Sequence, residues 1–204
     1  MTPPMSASAH ATDPLQATRQ WVETFVLGLE LCPFAKREVD AGRVRYVHSR
    51  AADADALLAD LQAELQRLRE EPQIETTLLV HPDLLRSFPA YNDFLDVADA
   101  LLEALDMVGE FQIASFHPAY QFAGTQPEDA ENYSNRSPYP MLHILREASL
   151  EAAIAAYPDV DAVPERNIER LRALGTSALH EMLAQTLTPR AAGGATPGAA
   201  AKPR

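Results

Sequence analysis

The stretch Thr76-Thr77-Leu78-Leu79-Val80-His81-Pro82 decides the reading of the chain. All of its first five residues are β-branched or leucine, with no charge. That composition favours a strand buried on both faces over a half-exposed one. Proline after His81 ends the strand, because it lacks a backbone N–H and fixes φ. The same unit recurs on either side. Arg43-Val44-Arg45-Tyr46-Val47-His48 reads as a strand, followed by a helical pattern from about Asp53 to Arg69. A second helix is expected from about Tyr91 to Leu105. Its apolar stripe is Phe94, Leu95, Ala98, Leu101, Leu102 and Leu105, at helical spacing. Phe111 to His117 then reads as a third strand.

Strands alternating with helices predict parallel pairing through right-handed crossovers. The expected fold class is α/β: a small, mainly parallel sheet of about three strands covered by about five helices. An α+β sandwich is the alternative. The remaining helices are expected over Leu15 to Leu31, stopped by Pro33, over Pro138 to about Ala156, and from near Pro164 to about Leu187 with a break at Gly175. Residues 1–14 and 188–204 are rich in Pro, Ala, Gly, Ser and Thr without apolar periodicity. They are expected to be disordered tails around one domain spanning 15–187.

The chain has 204 residues, a formal net charge of -12 and one cysteine. An acidic surface disfavours nucleic acid and anionic membranes as partners. A single cysteine allows no internal disulfide and fits a cytoplasmic location. No signal peptide and no membrane-spanning run is read. GxGxxG, P-loop, GxSxG and HExxH patterns are all missing, so the common nucleotide, hydrolase-elbow and zincin chemistries have no sequence support.

Four features could carry chemistry. His48, His81 and His117 each close a predicted strand, and a parallel sheet would bring them to one C-terminal edge, where open α/β folds bind ligands. His81 and His117, both followed by proline, read as ligands for a divalent metal or as a general base; a histidine hydrogen-bonded to a loop is the plainer alternative. The loop from His117 to Asn135 is long for a structureless connection. Its acids Glu128, Asp129 and Glu131 could ligate a metal or face water.

Asn135-Arg136-Ser137-Pro138 looks like a helix start, with Ser137 as N-cap and Pro138 as first helical residue. Such an end binds anions. Arg136, with His143 and Arg146 on one stripe of the expected helix, would converge on a phosphate or carboxylate; a well-capped helix with structural arginines is the competing account. Cys32, in Leu31-Cys32-Pro33-Phe34-Ala35, could be a nucleophile or a soft metal ligand, but burial as a small apolar residue is the favoured role.

These strings, with Tyr91-Asn92-Asp93-Phe94, Tyr120-Gln121-Phe122 and Asn132 to Arg146, resemble a bacterial family known as domain-of-unknown-function family 1415. The resemblance spans about residues 17 to 175. It implies a bacterial cytoplasmic protein and supplies no activity, cofactor or catalytic residue. The residues themselves favour a small-molecule enzyme or metal-assisted hydrolase, with His81, His117 and Cys32 as its chemistry. Asn135, Arg136, Ser137, His143 and Arg146 would hold an anionic substrate. The alternatives are a non-catalytic binding module for an anionic metabolite and a protein-assembly factor. The oligomeric state is not legible.

Overall fold

A computed structural model of the chain describes residues 12–188. The expectations for 1–11 and 189–204 lie outside the described residues. Four strands form one sheet: β1 (Val44–His48), β2 (Thr76–Val80), β3 (Phe111–Phe116) and β4 (Met141–Arg146), in the order β1-β2-β4-β3. The described helices are α1 (Pro14–Trp21), α2 (Ala35–Asp40), α3 (Ala54–Glu70), α4 (Phe88–Ala104), α5 (Glu147–Ala156), α6 (Val163–Leu174) and α7 (Thr176–Thr186). Val22–Leu27 continues α1 as a π-helix. Before Leu15, Thr12 is buried and its hydroxyl donates to the Leu187 carbonyl at 2.7 Å, tying the start of the fold to its last helix.

The sheet is mixed. β1 pairs β2 in parallel, while β4 pairs antiparallel with both β2 and β3. β1, β2 and β3 therefore run in one direction, as expected, but β2 and β3 are not neighbours. β4 separates them, and it corrects the expected helix from Pro138: residues 141–146 are strand, and the helix starts only at Glu147. Tyr139 lies between two prolines, and a residue before proline is biased toward extended backbone. The deciding force is tertiary. β2 is buried at all five positions, and its edge away from β1 needs a hydrogen-bonding partner once water is excluded. β4 supplies it, with Leu79 opposite Leu142.

Alternation along the strands divides the core into two. Leu79, Leu142, Ile144 and Phe111 pack under α3 and α4 with Leu57, Leu61, Leu65, Tyr91 and Phe94. Leu78, Val80 and Met141 face the opposite side, against Trp21, Phe25, Leu171 and Leu179. The sheet is thus a middle layer between helices on both faces. α6 and α7 meet at Gly175, whose φ of 79° suits glycine, so the expected break is present.

Candidate functional site

Since β1, β2 and β3 run the same way, His48, His81 and His117 do reach one edge of the sheet. There the last two are sealed in: His81 and His117 are each 1% exposed. Their rings pack on Tyr91, with centroids at 5.9 Å and 5.1 Å, and Phe88 lies 5.4 Å from His117. Both rings hold the turn after β2. His81 Nδ1 donates to the Leu84 carbonyl at 3.0 Å, and His117 Nε2 to the Leu85 carbonyl at 3.1 Å. His117 Nδ1 accepts from the Ala119 N–H at 3.0 Å. These partners assign the tautomers and leave His117 no free lone pair. The turn needs such pins, because Leu85 sits at φ 54°, a strained backbone for leucine. Burial lowers both pKa values, that of His81 to about 4. His81 Nε2 remains buried without a partner, as does His48 Nε2. Tyr91 completes the cluster: its hydroxyl donates to the Met141 carbonyl at 2.8 Å and accepts from the Phe116 N–H at 3.0 Å.

The arginines are also engaged by backbone. Arg136 Nε donates to Tyr120 O at 3.1 Å and Nη2 to Pro127 O at 2.5 Å, with the guanidinium 4.5 Å from the Tyr133 ring centroid. Arg146 reaches the carbonyls of Leu68 in the last turn of α3 and of Glu71 and Ile74 in the turn that follows it. Ser137 is fully buried, and its hydroxyl donates to Tyr139 O at 2.7 Å; it caps no helix. The expected convergence of Arg136, His143 and Arg146 on an anion at a helix start is thereby corrected. On a strand, 143 and 146 face opposite sides.

Asn132, which the sequence reading passed over, organises the long loop. It is fully buried; its Oδ1 accepts from Phe122 N and Thr125 Oγ1, and its Nδ2 donates to Gln126 O. Of the loop acids, Asp129 accepts from Gln126 N and Glu131 pairs with Arg172. Among the described residues no group of three or more His, Cys, Asp or Glu is placed to hold a metal ion.

Open space lies on the other face of the sheet. A cavity of about 260 Å³ is bounded by the sheet, the α1–π-helix segment, α2 and α5. Its wall is largely apolar and includes Trp21, Val22, Val26, Phe34, Leu78, Phe116 and Leu150, with His143 and Cys32 among them. The π-helix widens the turn that presents Val22 and Val26, a distortion frequent beside functional sites. α5 has no buried residue of its own, and its Ser149, Leu150 and Ala153 close the cavity.

His143 is set firmly. The Thr76 hydroxyl donates to Ile144 O at 2.6 Å, so at its 2.7 Å contact with His143 Nε2 it accepts. The proton is on Nε2, and Nδ1 is left as an acceptor with no partner among the described residues. Burial lowers the His143 pKa to about 4. A second cavity, of about 510 Å³, adjoins the first and is walled by Cys32, Phe116, Phe122, Asn135 and Asn167 among others. Val26, Cys32 and Phe116 line both.

Cys32 is half-buried, and burial raises its thiol pKa, with the Phe34 and Ala35 N–H groups only partly opposing. A thiol held protonated is a poor nucleophile. At pH 7 a disulfide reagent is expected to modify Cys32 at least about tenfold more slowly than glutathione. A rate equal to that of glutathione would show an activated thiolate.

No helix among the described residues is long and apolar enough to cross a membrane. Residues 13–181 match the family model described as "Protein of unknown function (DUF1415)", and the chain belongs to that family. No curated protein and no solved structure matches it.

Proposed function

For this member of a family without an assigned activity, we propose binding of a small neutral molecule in the cavity beneath the sheet. The observation that carries the reading is His143: an imidazole fixed by Thr76, with one unpartnered acceptor nitrogen in a largely apolar wall. Small-molecule sites pair an apolar lining with a few placed polar groups. A lowered pKa keeps the ring neutral at physiological pH, so it accepts a hydrogen bond and offers no positive charge. The matching ligand has a compact apolar body and an O–H or N–H donor, as in a phenol or an alcohol.

Metal-assisted hydrolysis at the C-terminal edge has less support. His117 has no free lone pair, and Arg136 and Arg146 are occupied by carbonyls. An anionic ligand loses its expected clamp for the same reason. Catalysis by Cys32 is disfavoured by its raised pKa.

Calorimetry with para-ethylphenol tests the reading. Saturable binding is expected, weakened about tenfold by His143→Leu, the size of one hydrogen bond's net worth. Para-ethylanisole, which lacks the donor, should bind wild type and variant equally. Trp21, the sole tryptophan, lines the cavity, and its emission should shift on binding. Absence of saturable heat, or indifference to His143→Leu, would sink the reading.

A further inference from the structure

We propose that the two cavities form one bipartite site, joined past Cys32, for an elongated molecule with a phenol-like end and a neutral amide-like end. The proposal rests on the reading of His143 above. A cavity of about 260 Å³ is below the ~300–1,000 Å³ usual for small-molecule sites. It exceeds the ~150 Å³ of an engineered apolar cavity that takes up benzene. It therefore suits one ring and little more. The neighbouring space of about 510 Å³ has the same Val26, Cys32 and Phe116 in its wall. The second space alone falls within that range, and joined to the first it would take a molecule longer than one ring.

Their chemistry differs in a way that assigns the two ends. Beside the first space, His143 Nδ1 is an acceptor without a partner among the described residues. Of the charged side chains in the wall, Glu38 is held by Arg37 and Arg43, and Arg146 by backbone carbonyls, while Glu75 and Ser149 also border the first space. The second is walled by Thr125, Ser134, Asn135 and Asn167 between apolar side chains. Most of this polarity is spent internally. Asn135 donates to Ser115 O at 3.1 Å and accepts from Ser134; the single Thr125 hydroxyl hydrogen is shared between Phe122 O and Asn132 Oδ1. Asn167 donates its amide to Leu31 O at 2.8 Å, and its side-chain carbonyl is left as an acceptor. Glu131 is neutralised by Arg172 at 2.7 Å. The second space therefore asks for a neutral group that donates a hydrogen bond, such as a carboxamide N–H. Cys32, uncharged because burial raises its pKa, is a small and weakly polar residue at the junction, suited to an aliphatic linker.

The test compares para-ethylphenol with the butanoyl amide of tyramine, which carries the same phenol on a two-carbon linker to an amide. Titration calorimetry on the full chain should show the amide binding at least about tenfold more tightly. Ile168→Trp and Val163→Phe each fill the second space from the α6 wall, so one folded variant suffices. Either should erase the gain while para-ethylphenol binds as before. If para-ethylphenol binds but the amide gains nothing, or the gain survives both variants, the bipartite site is overturned and the His143 reading stands. If para-ethylphenol does not bind, both fall.

Discussion

Replacing Arg146 with methionine is expected to lower the unfolding free energy by about 2–4 kcal/mol. The last carbonyls of a helix have no partner within it. The Arg146 guanidinium serves that end of α3 at Leu68 O and continues to Glu71 O and Ile74 O in the following turn. A cation there also complements the helix dipole. Methionine keeps much of the apolar stem but leaves several partly buried carbonyls unsatisfied, and hydrogen bonds from charged groups are worth ~1.5–3 kcal/mol. Urea unfolding gives the stability; calorimetry with phosphate gives the anion binding. Normal stability with lost phosphate affinity would restore Arg146 as an anion ligand.

The second large effect is with acid. His81 and His143 have folded pKa values lowered by burial to about 4, and His117 is lowered too. An unfolded histidine titrates near ~6.5. A folded state that refuses the proton keeps its full advantage above that pH and loses it as pH falls from about 6.5 toward 4. Each unit of difference is worth ~1.4 kcal/mol per group, so the cost is on the order of several kcal/mol across that window. The carboxylates of Glu38 and Glu131, lowered beside arginines, act in the same direction at lower pH. Unfolding curves at pH 7, 5.5 and 4.5 should show the steep loss. Histidine NMR titration should keep His81 and His143 neutral at pH 5. Midpoints near 6.5 for both would mean that neither ring is protected as described.

Periodicity and turn chemistry were enough for much of the architecture. They placed β1, β2 and β3, the helices α3 and α4, and the break at Gly175, because each depends on residues close in the chain. They also implied that His48, His81 and His117 share an edge, which follows from strand direction alone. What those histidines do there was not legible. Their partners are the carbonyls of Leu84 and Leu85, and side-chain bonds to a strained turn leave no periodic mark.

β4 was hidden for a different reason. Ser137-Pro138 imitates a helix start, and Met141 to Arg146 contains residues that are at home in either state. Strand won because β2, buried throughout, needs a second hydrogen-bonding edge, a demand that exists only once the sheet assembles. That choice also relocated the candidate site. On a helix, His143 and Arg146 would share a stripe. On a strand they face opposite sides, which sends Arg146 to the end of α3 and His143 to the cavity beside Cys32. Local pattern determined which segments could be strands and helices. Long-range pairing across the sheet, with Thr76 meeting His143 from 67 residues away, decided which side chains remain free to meet a ligand.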